Sequence, residues 1–233
     1  MTKYKHLFFD LDQTLWDFET NSVEVLNELF IKYKLDDAGI KSCDEFIIKY
    51  KEFNSLMWLQ YGKGQITKEK LRYGRFRAAL KSYKIKNNSL ADLLADEYLK
   101  ISPHKTNLLP YTDDILTELK EHYHMHIITN GFWEVQQIKL DKSGLNKYFK
   151  NIFVSDLLGH KKPDIKIFNH ALEIATAGSH EALMIGDNYE CDIIGARSAG
   201  IDQVFFNPNG ATPGPATYEI KCLSELRNLL LRN

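Results

Sequence analysis

From Pro103 onward, short apolar runs alternate with stretches of helical period, and this alternation limits the possible folds more than any other feature of the chain. Strands are expected at residues 126–128, 152–154, 183–185 and 203–206, with a short one near 218–221. Helices are expected at about 113–121, 133–143, 165–175, 192–199 and 225–231, and the Gly/Pro-rich stretch 207–215 reads as a loop. Repeated strand–helix units imply a parallel sheet with helices on both faces. One more apolar run, HLFF at residues 6–9, ends abruptly at Asp10 and belongs with those strands.

Between that first strand and the rest, the pattern is different. From about Asn21 to Ile101, apolar residues recur at helical spacing in four blocks, with no strand signal between them. The expected architecture is therefore α/β: a Rossmann-like, three-layer α/β/α core from residues 1–16 and 105–233. An all-helical, four-helix domain at 17–104 is inserted after the first strand. Hydrophobic residues make up 44% of the 233 and charged residues 26%, enough apolar content to exclude wholesale disorder. Thirty Lys and Arg balance 31 Asp and Glu, so the chain carries neither the basic footprint of a nucleic-acid binder nor an acidic tail. Three cysteines without a C-x-x-C spacing argue against a disulfide framework or a thiolate zinc site. No apolar segment is long enough to span a membrane. A soluble cytoplasmic protein is expected.

In an open parallel sheet, ligands bind beyond the carboxyl ends of the strands. The residues just after each strand are therefore informative. Asp10, Asp12 and Thr14 come after the first; Thr129, Asn130 and Gly131 come after the second. Lys161, Lys162, Pro163 and Asp164 lie after the third, and Gly186, Asp187 and Asp192 at and after the fourth. Each group alone is an ordinary turn or helix start; their joint delivery to one crevice is not. Of the first two carboxylates, one can serve as nucleophile and the other as acid/base. Gathering Asp10, Asp12, Asp187 and Asp192 is repulsive, about 4 kcal/mol per pair at 4 Å for an effective dielectric of 20, so a cation is required. An all-oxygen, carboxylate-rich site facing a phosphate suits Mg²⁺. Thr129 and Asn130 offer donors to phosphate oxygens, and Lys162 a point charge.

The segments FFDLDQTLW, IITNG, KKPD and IGDNYECD, in that order, resemble the four motifs of the haloacid dehalogenase-like phosphohydrolase superfamily. The resemblance extends over the whole chain and likens the helical insertion to a C1-type cap. It implies that Asp10 attacks phosphorus to form an aspartyl-phosphate, and that Asp12 protonates the leaving oxygen and then activates water. It implies Mg²⁺ held by the Asp10 carboxylate, the Asp12 carbonyl and Asp187, with Asp192 behind them ligating through water or positioning Lys162. Thr129, Asn130 and Lys162 would hold the phosphoryl group. Haloacid dehalogenases proper lack the acid two residues after the nucleophile, so Asp12 favours phosphoryl transfer.

Gln13 stands where sugar-phosphate mutases and phosphoglycolate phosphatases of the superfamily usually have glycine. The runs LDQTLWDFETNS and NGFWEVQQIKLDKSGL are similar to its 5′-nucleotidase branch, which acts on pyrimidine and noncanonical nucleoside monophosphates. Trp16, Gly131, Trp133, Trp58 and Lys63 are then candidates for contacting a base or sugar by stacking and charge, with core packing the alternative for Trp16 and Trp58. Arg72, Arg75 and Arg77 read as a solvated helix face. His122, His124 and His126 alternate as they would on one strand face and read as surface or strand-start residues rather than a zinc site. A phosphosugar or phosphoglycolate phosphatase, a sugar-phosphate mutase and a receiver-like phosphoprotein switch are the competing readings. The expected partner is a small phosphomonoester, with no nucleic-acid polymer and no membrane; a monomer and a homodimer are equally compatible with the sequence.

Overall fold

The computed structural model describes residues 3–231. Six parallel strands form one sheet in the order β3-β2-β1-β4-β5-β6. They are β1 (His6–Phe9), β2 (His124–Thr129), β3 (Asn151–Val154), β4 (Ala182–Gly186), β5 (Asp202–Phe206) and β6 (Tyr218–Ile220). The central strands are buried on both faces, as an all-parallel sheet requires. Along β1 the side chains alternate between two apolar layers. Leu7 and Phe9 pack with Met125, Ile127, Leu183 and Ile185 on one face. Phe8 packs with Ile128, Met184 and Phe168 on the other.

The helices of this α/β unit are α5 (Thr112–Leu119), α6 (Trp133–Lys142), α7 (Ser155–Leu158), α8 (Ile165–Ala175), α9 (Gly195–Ser198) and α10 (Leu226–Leu230). The helix expected from residue 192 is different in kind. It opens as a π-helical turn at Tyr189–Ile194 and becomes α-helical only in α9. Asn188 caps the turn by accepting from the Cys191 amide at 2.9 Å. Single wide turns of this sort are frequent at functional sites, and this one carries Asp192.

The chain divides into two compact units, Met1–Phe18 with Thr106–Asn233, and Glu19–Lys105. The second unit is built from α1 (Phe18–Lys32), α2 (Cys43–Gly62), α3 (Lys68–Ser82) and α4 (Asn88–Ile101). Ser42, Thr67 and Asn87 accept from the amides of Glu45, Lys70 and Leu90 and cap the last three of these helices. Leu26, Leu29, Phe46, Tyr50, Phe76, Leu94 and Tyr98 form its core. The solvated arginine face expected on α3 does not hold for Arg75. That residue is buried, with its guanidinium beside the rings of Tyr50 and Tyr98 and Nη1 donating to Asn54 Oδ1 at 2.8 Å. A planar, weakly hydrated cation is tolerated there because two aromatic faces and one amide oxygen replace part of its water. Arg77, by contrast, is exposed and forms a fork with Asp92.

Candidate active site

Register places the site. Phe9, the last residue of β1, lies opposite Ile127 of β2 and Ile185 of β4, so the carboxyl ends of three adjacent strands fall within two residues of one another. The sheet order reverses direction around β1, and this is where an open α/β sheet leaves a crevice. Asp10 continues the ladder through its amide, which donates to Ile185 O at 2.9 Å. After it the chain folds into a tight loop: the amides of Leu15 and Trp16 both return to Leu11 O, and Gln13 adopts a left-handed backbone, φ 64°. That loop turns Asp12 away from Asp10.

Lys162 is the centre of charge. It is 3% exposed, and its Nζ lies 2.6 Å from Asp10 Oδ1 and 2.6 Å from Asp192 Oδ1. Burial alone would lower its pKa, but the two carboxylates outweigh that and hold it above the ordinary lysine range. Burial pushes the Asp10 carboxyl well above its usual range, with Asp192 and Asp187 adding repulsion against the attraction of Lys162. Asp187 rises to about 7, first through burial and then through Asp192, although the Thr14 hydroxyl opposes the shift by donating to its Oδ1 at 3.1 Å. Asp192, in the π turn, is completely buried; its Oδ2 accepts from the Asn188 amide at 3.0 Å. Gly186 makes room for it, since a side-chain carbon there would lie well inside contact distance of the Asp192 carboxylate.

Asp10, Asp187 and Asp192 each offer a carboxylate oxygen, and these lie within 4.8 Å of one another. Three acids stand against one lysine in a buried place, and burial first, with mutual repulsion adding to it, raises the pKa values of Asp10 and Asp187. A hard divalent cation fits this all-oxygen donor set. Asp12 is not part of the carboxylate group. Its side chain turns to α6, where Gln136 Nε2 donates to Oδ2 at 2.8 Å and the Lys139 ammonium pairs with Oδ1.

The expected phosphate-holding residues have distinct placements. Thr129 is buried, and its hydroxyl oxygen accepts from the Gly131 amide at 3.1 Å and from Gln136 Nε2 at 2.7 Å. With two donors already on the oxygen, its own proton remains to be donated. The Asn130 side chain instead holds the Lys162 backbone, donating to its carbonyl and accepting from its amide. Trp16 is 0% exposed within the core of the α/β unit, and one ring face carries the Lys139 ammonium 4.2 Å from the centroid. Packing is thus what the structure shows for Trp16, and a buried ring is not an open surface for stacking. Trp133 is exposed at the start of α6. Trp58 and Lys63 belong to the helical unit: Trp58 is half-buried and edge-on to Tyr61, and Lys63 is exposed at the end of α2. Sequence reasoning missed Gln136 and Lys139. The signal for them was a Gln and a Lys three residues apart, hence on one helix face, in the helix that starts directly after T-N-G.

Residues 7–206 match the sequence profile of the family described as Haloacid dehalogenase-like hydrolase. The chain belongs to that family. It is 32% identical to the HAD-hydrolase YfnB of Bacillus subtilis (strain 168) over 99% of this chain and 97% of that one. The crystal structure of YfnB bound to magnesium superposes with a TM-score of 0.89 at 31% identity, covering 99% of this chain and 100% of that chain. Pyrimidine 5′-nucleotidase YjjG of Escherichia coli (strain K12) is 31% identical over 99% of this chain and 100% of its own length. Pyrimidine 5′-nucleotidase PynA of Streptococcus pneumoniae (strain ATCC BAA-255 / R6) is 30% identical over 99% and 96%. As a haloacid dehalogenase-like hydrolase, the chain is an enzyme of the parallel-sheet fold described above. No helix among its described residues is long and apolar enough to cross a membrane.

Proposed function

We propose that this hydrolase is a Mg²⁺-dependent phosphomonoesterase that works through an aspartyl-phosphate on Asp10, with pyrimidine and noncanonical nucleoside 5′-monophosphates as its substrates. The observation that carries the reading is the separation of its first two aspartates into different environments. Asp10 lies with Asp187 and Asp192 in a carboxylate group that could hold a metal, beside Lys162, while Asp12 is held by Gln136 and Lys139. Two carboxylates set apart in this way suit two chemical roles.

Asp10 Oδ1 is bound to Lys162, and its second oxygen is the nucleophile. As that oxygen bonds to phosphorus, the bond from phosphorus to the leaving oxygen breaks, and Asp12 delivers a proton to the departing group. As a carboxylate, Asp12 then takes a proton from the water that attacks phosphorus, which frees phosphate and restores Asp10. Asp10, Asp187 and the Asp12 carbonyl, with Asp192 behind them, would hold Mg²⁺, whose charge offsets the carboxylates and the phosphoryl oxygens. Thr129 donates its remaining proton to a phosphoryl oxygen, and Lys162 supplies positive charge beside it.

The nucleotide preference is supported by YjjG and PynA, both named pyrimidine 5′-nucleotidases and alike over nearly the full chain. A reducing compartment, the cytoplasm, suits the three free cysteines. The test is phosphate release from a panel of nucleoside monophosphates, sugar phosphates and phosphoglycolate with Mg²⁺ or EDTA. Release from UMP or dUMP with Mg²⁺ and none with EDTA is expected. Turnover confined to sugar phosphates would overturn the nucleotide assignment, and a long-lived phosphoprotein without phosphate release would overturn the phosphatase.

A further inference from the structure

Lys139 is a lysine in the wrong place for an ordinary helix surface. It is buried, and its ion-pair partner is the carboxylate of Asp12. Its ammonium is confined between that carboxylate and the face of Trp16, itself completely buried. Gln136, one helical turn earlier, is also completely buried. One nitrogen of its amide donates to both Asp12 Oδ2 at 2.8 Å and Thr129 Oγ1 at 2.7 Å. An amide NH₂ has two hydrogens, so each contact takes one. The side chain thereby sets the separation between Asp12 and Thr129. Gly131 permits the approach, because a Cβ at that position would run into the Gln136 amide.

We propose that Lys139 and Gln136 are positioning residues that fix the Asp12 carboxylate for proton transfer and tie it to the phosphate-holding Thr129. The inference rests on the phosphatase reading above. Its physical basis is that both Asp12 oxygens are engaged by groups on a single helix, one of which, Gln136, also donates to Thr129 at the end of β2. A buried ion pair adds little net stability when weighed against an apolar pair of the same shape, so stability alone is a weak reason for a buried lysine. Orientation is a better one: an acid that must meet the leaving oxygen, and later a water, gains from a fixed direction. The Trp16 ring confines the lysine so that its charge stays on Asp12.

The test compares Lys139→Met, Lys139→Arg and Gln136→Leu with the parent enzyme, each also in an Asp12→Asn background. Two esters are used with Mg²⁺: 4-nitrophenyl phosphate, whose leaving group departs without a proton, and UMP, whose alkoxide requires one. Rapid quench gives the phosphoenzyme-forming step for each. Lys139→Met is expected to slow that step on UMP by about 10- to 100-fold and on the aryl ester by far less, with KM nearly unchanged. Lys139→Arg is expected to recover part of the loss, and neither variant to lower the rate further when Asp12 is already Asn. Equal losses on both esters in Lys139→Met, or an equal loss in the Asp12→Asn background, would overturn the proposal. If Lys139→Met does not fold, Lys139→Gln replaces it under the same criteria, because Gln136→Leu also releases Thr129 and is expected to slow both esters. Parent-like rates in Lys139→Met and Gln136→Leu beside an impaired Asp12→Asn would overturn the positioning role alone. An unimpaired Asp12→Asn would overturn the acid/base assignment and the positioning role with it.

Discussion

The Asn130 side chain grips the backbone of Lys162 in both directions, its Nδ2 donating to the carbonyl at 2.9 Å and its Oδ1 accepting from the amide at 2.8 Å. The amide acts as a neighbouring strand would, and it joins the end of β2 to the loop that carries the site's central lysine. Removing it leaves two backbone groups of Lys162 without those partners, at a cost of about 1–3 kcal/mol each where they stay dry. Asn130→Ala is therefore expected to lower the melting temperature and to reduce kcat by at least about tenfold, since the Lys162 ammonium loses its fixed aim. Thermal melts and steady-state phosphate release check both effects.

Asp10→Asn is expected to abolish turnover, by more than about 10³-fold, while leaving the fold intact. The amide keeps the volume of the carboxylate but not its nucleophilicity. Lys162 retains Asp192 as a partner, so the buried ammonium is not stranded. Circular dichroism and a melt establish the fold, and phosphate release establishes the loss. Full activity in this variant would remove Asp10 as the nucleophile.

Magnesium is expected to stabilise the protein, and more strongly at high pH. Asp187 titrates at about 7 because of burial and then the repulsion of Asp192. A carboxyl with a folded pKa above its unfolded value keeps its proton in the fold while the unfolded chain has lost it. In the metal-free protein, stability therefore falls as pH rises from about 4 towards about 7. The cation takes over the role of that proton. At 100 times its dissociation constant a bound ligand adds about 2.7 kcal/mol, worth roughly 2–4 °C per kcal/mol in a chain of this size. Melts at pH 5.5 and 8 with and without Mg²⁺ should show the larger shift at pH 8, and Asp187→Asn should lose most of it.

Acid is expected to destabilise the fold through a histidine pair at the other end of the sheet. His6 Nδ1 and His126 Nε2 lie 3.2 Å apart, and Asn151 Nδ2 is 3.1 Å from His126 Nδ1. The amide nitrogen can only donate, so His126 Nδ1 accepts and its Nε2 hydrogen goes to His6. Both rings are neutral in that arrangement. Burial, with the nearby histidines His6 and His124 and with Lys150, lowers His126 to about 4. The stability that depends on the neutral ring is present above the unfolded pKa of about 6.5 and is lost as pH falls towards about 4. His126→Gln, which keeps a hydrogen-bonding side chain but cannot titrate in this range, should show a smaller drop in melting temperature between pH 7 and 5 than the parent chain.

Much of the fold could be read in the sequence because the patterns that carry it are local. The helix at Ile165–Ala175 has the expected limits, and all six strands fall where apolar runs were found. The π turn at Tyr189–Ile194 was not legible, since Asp192 at a helix start looks the same whether the turn is wide or regular. The alternating His122, His124 and His126 suggested a shared strand face, but His122 lies before β2, His124 is exposed and the buried partner of His126 is His6. That partner is 120 residues away, and no spacing rule connects the two.

The sequence by itself determined which chemistry stands at each strand end and, through its periodicity, that those ends belong to a parallel sheet. Residue identity and local repeat are sufficient for that, because hydrogen bonding and side-chain alternation act over a few residues. The tertiary structure alone decided that Asp12 turns from Asp10 to Lys139, that Asn130 serves the Lys162 backbone and that Trp16 is buried beneath a lysine. These contacts join residues separated by between 32 and 127 positions, the contact of Lys139 with the Trp16 ring among them. Such pairings depend on strand register and helix placement, which bring side chains to within a few ångströms of one another and leave no trace in the spacing of the letters.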